Sequence, residues 1–587
     1  MKKRVKNILL IFILILVLNL SGVLALCGDN VVESVEECDL GDINNGDGCS
    51  SLCQMENGWY CFLDPKICRT HCGDGISEGG EQCDDGNTLD GDGCNNQCII
   101  EIEYMCGDVN NVKSACSDGV DNDNDNLIDL NDPGCIDIYD SVEKEDSIYV
   151  SLGGSNSNLG TKSSPFATLE KARDASRQKI SSGLTNDLVI VIREGEYILN
   201  EVFELNEQDS GNNGHFVIWR SYPGEEVKIT TAEILDNSKW ENWNGNIYRM
   251  RISDGREFFT MLEEEKRSYI AQEPDWDPNT LNGNILLTDG QRMISLNEQY
   301  KNRFRFRNGD LNPDWDYSNV KVSMWHGDFA INLVYIKNIT FGNERLIVLE
   351  NDTAYLIPFS QLGQNVSSYY ANNMYRLQNS LSFLDIPGEY FIDENENYLY
   401  YYPWDSDFKN KNIYVPRKGF VFRIKGDSDN FTQNIQIKEL SFFGNDYVDS
   451  AIGNKFHGSN IADNSLLFAE NAKNIIIKDS VFRNSGLVSI FFRNVEQSEI
   501  SGNVIEKSGF DGIFVSGSNN VVSDNDIKEI GMIHLTARGI NENSWTSGVY
   551  ANNTLKSNDL KDIGYTGIAF NGGGSIALDN EISEFVK

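Results

Sequence analysis

A short stretch late in the chain carries side chains that could perform acid–base chemistry. His534, Arg538, Glu542 and Trp545 lie close together in sequence, and Asp511 precedes them in the phrase GFDGIFVSG. One carboxyl group can donate a proton while a second acts as base or nucleophile. We therefore predict Asp511 and Glu542 as catalytic carboxylates. The imidazole and the guanidinium would orient groups or stabilise charge, and the indole would offer a platform for a substrate ring.

The same residues could equally be ordinary surface groups, because an acidic chain places such side chains in many loops. Their position relative to a sequence repeat favours the functional interpretation. One phrase recurs as NVIEKSG, NDIKEIG, NDLKDIG and NEISEF, which begin at Asn503, Asn525, Asn558 and Asn580. The steps are 22, 33 and 22 residues, so the middle step contains 11 extra residues (33 − 22). We predict that they form one loop in which the site residues meet.

A repeat near 22 residues predicts a solenoid. Each period would form one coil of a parallel β-helix, with three short strands stacked on their counterparts in the next coil. The runs SIFF, GIFV and GIAF alternate at period two, as strands with one inward face do. The recurring asparagine would occupy a bend in the left-handed conformation and pass its amide from coil to coil as a ladder. It is therefore expected to be scaffold.

Charge and the N-terminus indicate the compartment. The net charge of −40 and the pI near 4.4 argue against nucleic acid or anionic membranes as partners. A basic opening, MKKRVKN, precedes the apolar run from Ile8 to Leu20 and a small-residue site at Ala25. This pattern predicts a signal peptide over residues 1–25 and a secreted or cell-surface protein, with an uncleaved anchor as the alternative. No later stretch is apolar enough to span a bilayer.

The thirteen cysteines all lie between Cys27 and Cys135. Their spacing predicts two copies of one module, over residues 26–70 and 71–115, offset by 45 positions. Disulfides are the expected use in a secreted chain, and zinc binding is the competing one. The pairing stays open, and an odd count leaves one thiol unassigned. The repeated phrases CGDNVVESVEECDLGD and CGDGISEGGEQCDDGN resemble the Myxococcus cysteine-rich repeat of secreted proteins.

An aspartate-rich segment and linker follow over residues 116–147. Alternate carboxylates in SDGVDNDNDNLIDLNDPGC have the spacing of a calcium-binding loop. The alternative is a solvated acidic turn. The candidate ligands are Asp121, Asp123, Asp125, Asp129 and Asp132.

The remaining chain divides by its periodicity. Residues 148–239 predict a capping helix after Pro165 and the first coils, since an open end coil needs cover. Residues 240–415 lose the period and are rich in aromatic residues, which predicts a β-rich insertion or, alternatively, a distinct domain. Residues 416–587 return to the coil period and are expected to stop within a coil.

Four phrases occur in an order similar to that of the right-handed, pectate-lyase-like parallel β-helix enzymes of glycoside hydrolase family 141. They are YVSLGGSNSNLGTKSSPFATLEKARDA, WRSYPGEEVKITTAEILDNSKW, MWHGDFAINLVYIKNI and LDIPGEYFIDENENYLYYYP. The resemblance covers about three quarters of the chain and implies hydrolysis of plant-type or microbial polysaccharide, with fucosidase and xylanase activities both occurring in the family. Trp325 and His326, in MWHGDF, would then wall a groove, although a buried tryptophan is the simpler explanation.

Three functions follow as expectations. The first is an extracellular glycoside hydrolase that acts on a polysaccharide through paired carboxylates and needs no cofactor for catalysis. The second is a polysaccharide lyase of the same fold, for which Arg538 would neutralise a uronate. The third is a non-catalytic surface protein that binds carbohydrate or adheres through its β-helix.

Overall fold

The computed structural model describes two short cysteine-containing segments and most of the chain from residue 146 onwards. The described residues are 60–61, 68–69, 146–252, 257–275, 285–289, 302–325, 331–352, 374–447, 464–531, 537–543, 551–564 and 566–585. The chain divides into two compact units, Met1–Lys144 and Glu145–Lys587. Described residues of the first unit form the antiparallel strands Tyr60–Cys61 and Cys68–Arg69. The predicted signal peptide and calcium loop lie outside the described residues and stay predictions.

The second unit is a parallel β-helix, which confirms the predicted all-β fold. Successive coils contribute strands to sheets A, B and C in this order along the chain. Sheet A consists of Phe203–Leu205, Phe420–Lys425, Ser465–Lys478, Val488–Glu496, Ile513–Ser518, Arg538–Glu542 and Thr566–Phe570. Sheet B consists of Asp146–Val150, Leu188–Ile192, Val217–Ser221, Thr432–Lys438, Glu499–Ser501, Val521–Ser523, Thr554–Lys556 and Ile576–Leu578. Sheet C consists of Gly195–Ile198, Val227–Thr230, Ser441–Phe443, Val481–Arg483, Val504–Glu506, Asp526–Ile530, Asp559–Ile563 and Glu581–Phe585.

Apolar side chains fill the interior of the coils, because alternate residues of each strand point inward. Phe422 of sheet A and Phe442 of sheet C meet across the interior, with ring centroids 5.8 Å apart. Ile490, Ile513 and Ile540 stack at one inward position of sheet A and are fully buried. Every such row requires that successive strands keep their register.

The four repeated asparagines form the predicted ladder of side-chain amides. Nδ2 of Asn503 donates to Oδ1 of Asn525 at 3.0 Å, Asn525 donates to Asn558 at 2.8 Å, and Asn558 donates to Asn580 at 2.7 Å. The amide of Asn525 also donates to the backbone carbonyl of Ile500 at 3.0 Å. The ladder therefore connects neighbouring coils through buried hydrogen bonds at the bend between sheets B and C.

The left-handed conformation, however, belongs to the residue before each asparagine. Gly502, Asp524, Ser557 and Asp579 have φ of 64°, 57°, 53° and 51°. The expectation that the asparagines themselves are left-handed is wrong. Each asparagine also donates its backbone N–H to the next amide oxygen, as Asn503 does to Asn525 at 3.0 Å, and the preceding residue makes the turn.

One helix, Leu169–Ser181, lies at the start of the β-helix, as the sequence predicts. Thr168 is its N-cap, and its hydroxyl accepts a hydrogen bond from the backbone N–H of Lys171 at 3.2 Å. The buried face of the helix joins the core of the first coils. Among the described residues, no helix is long and apolar enough to cross a membrane. Short 3₁₀ helices occur at Glu207–Asp209, Asn237–Lys239, Leu381–Phe383 and Phe408–Asn410.

A β-rich insertion, defined here as residues 232–416, interrupts the coils between a strand of sheet C and a strand of sheet A. Its first and last strands, Ala232–Ile234 and Ile413–Pro416, pair with each other. One insertion sheet has the order Glu241–Asn244, Ile247–Arg251, Tyr398–Tyr402, Glu389–Asp393, Lys266–Ile270, Met261–Glu263, Ile413–Pro416, Ala232–Ile234. The other contains Gln272–Glu273, Leu286–Leu287, Met374–Gln378, Lys321–Trp325, Ile331–Thr340, Leu346–Leu349 and Arg303–Arg305.

Replacing one member of the ladder should destabilise the coils. Asn525→Ala leaves buried groups of Asn503, Asn558 and Ile500 without partners, so we expect the free energy of unfolding to fall by about 1–3 kcal/mol. Urea denaturation followed by circular dichroism measures this loss. The exposed Asn571 provides the matched control, since Asn571→Ala should change stability by no more than about 0.5 kcal/mol. Equal stability of the two variants would contradict a structural ladder.

Candidate functional site

The extra residues of the long repeat fall into two places and do not form one loop. From Glu506 to Ile513 there are 7 steps, whereas the paired residues Lys528 and Ile540 are 12 apart, which adds 5. From Val515 to Val521 there are 6 steps, whereas their partners Glu542 and Thr554 are 12 apart, which adds 6. The strand Arg538–Glu542 therefore separates the two additions. The expectation of a single loop is wrong, because residues can be added only where no strand pairs.

Asp511 and Arg538 lie together, as the sequence predicts, but inside the stack of coils. Asp511 is fully buried, and its carboxylate accepts hydrogen bonds from the backbone N–H of Arg538 and from Nδ2 of Asn541, both at 2.8 Å. Nη1 of Arg538 lies 3.8 Å from Oδ2. Burial raises the pKa of Asp511 to about 6, although Arg538 opposes the shift. These contacts join two coils.

Glu542 is also fully buried, at the other end of the strand. It shares its row with Val515, so it points into the interior of the coils. Its carboxylate accepts hydrogen bonds from Nδ2 of Asn553 at 2.9 Å and from the backbone N–H of Asn571 at 3.0 Å, as well as from the N–H of Gly572. Glu542 thus satisfies backbone donors at a bend.

The register keeps the two predicted carboxylates apart. Asp511 lies level with Arg538, and Glu542 lies four residues further along the strand, about 13 Å at a rise of about 3.3 Å per residue. Glycosidase carboxylates are about 5 to 9.5 Å apart. The positions of Asp511 and Glu542 therefore do not suit a catalytic pair.

The other predicted site residues are not brought to these two. His534, Trp545 and His326 lie outside the described residues. Trp325 is buried in the second insertion sheet, where the guanidinium of Arg376 lies 5.9 Å from its ring. The buried alternative for Trp325 therefore describes its environment.

A groove of about 640 Å³ lies between the insertion and the coils. We call it the insertion groove. The hairpin around Glu263 and Arg267 and the segment from Ile386 to Glu389 line one side, and Lys507 and Glu529 line the other, where strands of sheet C end. Trp404 stands at the wall: its Nε1 donates to the backbone carbonyl of Arg267 at 3.2 Å. The described lining combines acids, cations and aromatic rings.

Three carboxyl groups converge at Glu389, which lines this groove. Oxygen atoms of Asp275, Asp385 and Glu389 all lie within 4.8 Å of one another. Glu389 is buried, and its two oxygens accept hydrogen bonds from the backbone N–H groups of Gln272 at 3.2 Å and of Asp385 at 3.4 Å. Asp275 is half-buried and Asp385 is exposed. Such a group can exchange protons or hold a cation.

Burial and mutual repulsion keep these carboxyl groups protonated to unusually high pH. Burial, followed by repulsion from Asp275, raises the pKa of Glu389 to about 9. Burial and the neighbouring Asp385 raise the pKa of Asp275 to about 6. Burial also raises the pKa of Asp385. At neutral pH Glu389 therefore carries a proton beside ionised neighbours, which is how a general acid is prepared. A cation at this place would first have to displace that proton.

Another acid of the groove is already paired. Glu263 accepts hydrogen bonds from the hydroxyl of Tyr401 at 2.8 Å and the backbone N–H of Trp404 at 3.2 Å, and Nζ of Lys411 lies 3.0 Å away. Lys411 also contacts Asp405. This network holds the groove wall together and leaves Glu389 as the acid with a displaced proton affinity.

The sequence reasoning missed the residues of the insertion groove. Asp385 and Glu389 stand in the phrase LDIPGEYFIDENENYLYYYP, which carried the family resemblance, so that phrase was the available signal. Asp275 and Arg267 lie in charged segments without a distinguishing pattern. Their roles depend on residues that are distant in sequence.

Two family models match the chain. Residues 421–583 match the model of a right-handed β-helix region, and residues 56–99 match that of a domain of unknown function, DUF4215. The first match agrees with the coils and gives their handedness. The second lies within the two predicted cysteine modules. The finer families that the sequence resembles stay predictions.

Comparison with individual proteins adds to the evidence for the fold. A solved structure described as a glycoside hydrolase has a TM-score of 0.54 at 14% identity, over 74% of this chain and 96% of that chain. At this identity the likeness shows the fold alone. The uncharacterized protein YwoF of Bacillus subtilis (strain 168) is 36% identical over 109 residues. That match covers 18% of this chain, which spans a fifth (20%) of the length of this relative.

The raised pKa of Glu389 predicts a specific dependence of stability on pH. The folded chain retains a proton that the unfolded chain releases near pH 4.5, so the contribution of Glu389 to stability falls as pH rises from about 5 to about 9. Glu389→Gln removes this titration. Its melting temperature should therefore fall less across this range than that of the native protein. Parallel melting curves in calorimetry would contradict a protonated Glu389.

The two buried carboxylates of the coils should affect stability more than activity. Asp511→Asn and Glu542→Gln each place an amide NH₂ group against hydrogen-bond donors, which should lower the free energy of unfolding by about 1–3 kcal/mol. Chemical denaturation of each variant tests this. Glu201→Gln, at a side chain that is 79% exposed, is the control. A lost activity at unchanged stability would restore both residues as catalytic candidates.

Proposed function

We propose that this chain is an extracellular carbohydrate-active protein that hydrolyses glycosidic bonds of a polysaccharide in the insertion groove. The observation that carries the proposal is the convergence of Glu389, Asp275 and Asp385, with one proton-bearing carboxyl beside ionised ones. Two carboxyl groups with different protonation are what glycoside hydrolysis needs. The β-helix supports the proposal as a scaffold, and the resemblance to glycoside hydrolase family 141 supports the substrate class.

The proposed roles follow from exposure and protonation. Glu389 donates its proton to the glycosidic oxygen as that bond breaks. Asp385, the exposed carboxylate, attacks the anomeric carbon and forms a glycosyl ester. Water then hydrolyses the ester while Glu389 accepts a proton from it. The oxygen separation within 4.8 Å is close to the roughly 5 Å of retaining enzymes, so the product should keep its anomeric configuration.

The polysaccharide lyase and the non-catalytic binding protein remain the competing proposals. A lyase would release an unsaturated sugar in place of a new hemiacetal alone. A binding protein would retain polysaccharide without releasing either product. Incubation of the purified full-length chain with a panel of polysaccharides, followed by assays for reducing ends and for ultraviolet absorbance of unsaturated ends, separates the three.

Substitution of the proposed acid should abolish most of the hydrolysis. We expect Glu389→Gln to lower kcat by at least about 100-fold on unactivated glycosides, since general acid catalysis contributes about 10²–10⁴-fold. Asp385→Asn should lower it comparably. Glu396→Gln, at an exposed glutamate of the same insertion, is the control and should retain activity. Full activity in Glu389→Gln, with normal folding, would overturn the assignment.

A further inference from the structure

Arg267 is a buried cation that faces the insertion groove. Its side chain lines the groove and is only 4% exposed. Nη2 donates to the backbone carbonyl of Ser485 at 2.6 Å. Nε and Nη1 have no hydrogen-bond partner among the described residues. The guanidinium thus presents unsatisfied donors at the wall of a cavity.

The described surroundings supply no ionised carboxylate that contacts this charge. Arginine keeps its proton in proteins, so Arg267 cannot escape burial by becoming neutral. Glu263 is held by Lys411, and Glu389 is protonated at neutral pH. Asp446 accepts hydrogen bonds from the backbone N–H groups of Phe259 and Tyr447, and burial raises its pKa to about 7. A buried charge without a partner is costly, and an anionic ligand would offset that cost.

Two lysines extend the cationic side of the groove. Lys266 neighbours Arg267, with its Nζ 3.8 Å from the centre of the Trp404 ring, and Lys507 approaches from the coil side. They contrast with the chain as a whole, whose net charge is −40. A local cluster of cations on such a chain selects the ligands that an acidic surface would otherwise repel.

We propose that Arg267 binds an anionic substituent of the glycan, so that the insertion groove selects acidic polysaccharides. The substituent is a uronate carboxylate or a sulfate ester, since both present oxygen acceptors to a guanidinium. This inference rests on the proposed function for the identity of the ligand as a glycan. It adds the substrate class and makes Arg267 a specificity-determining residue.

Binding measured without turnover tests the inference separately from hydrolysis. The probes are a uronate oligosaccharide, the same oligosaccharide with its carboxyl groups reduced to alcohols, and a sulfated oligosaccharide of neutral sugars. Titration calorimetry with the Glu389→Gln variant should show at least about tenfold tighter binding of one acidic probe than of the reduced one, with a preference that weakens as salt increases. The acidic probe that binds identifies the substituent.

Variants then assign the preference to Arg267. Arg267→Gln should lose the preference, and Arg267→Lys should retain part of it. Lys507→Gln, at the edge of the groove, should weaken it and serves if Arg267→Gln does not fold. Lys556→Gln, at an exposed lysine of sheet B, should leave it unchanged. Equal affinity for acidic and reduced probes, or an intact preference in folded Arg267→Gln, would overturn the inference. Preferential binding without cleavage by the native protein would instead reject the proposed hydrolysis and leave the inference standing.

Discussion

The parallel stacking of coils is the constraint on which the rest of the structure depends. Each strand of sheets A, B and C bonds to the strand one coil before and one coil after, so an added residue within a strand would turn every later side chain to the opposite face. Additions are therefore confined to bends. The insertion at residues 232–416 and the two additions that flank Arg538–Glu542 all obey this rule. The asparagine ladder reinforces the same register with side-chain hydrogen bonds.

Burial in the groove beside this stack acts on charge in two different ways. Glu389 retains a proton because the groove wall and Asp275 disfavour its carboxylate. Arg267 has no comparable response, since a guanidinium stays charged at any pH a protein tolerates. The insertion groove thus combines a proton donor with an uncompensated cation. Neither property follows from residue type, because the chain has 89 acidic and 49 basic residues, most of which can remain solvated.

The misplaced site prediction has the same physical origin. The repeat correctly located the additions around Arg538 and Glu542, but distance along a chain does not tell which way a side chain points. Glu542 shares an inward row with Val515, and Asp511 joins two coils through the backbone of Arg538. Both carboxylates accept hydrogen bonds within the stack, which removes them from any surface groove. The left-handed residues before the asparagines could not be assigned either, because the ladder's own backbone bonds decide them.

The sequence by itself determined the architecture, because period, alternation and turn residues act within one or two coils. The 22-residue step, the helix after Pro165 and the loss of period near residue 240 were sufficient for a β-helix with a cap and an insertion. The tertiary structure alone decided which charged groups lose water. Arg267 binds a carbonyl 218 positions away, and Glu389 meets Asp275 from another strand. Desolvation depends on everything that surrounds a group, and a chain reveals those surroundings only when it is folded.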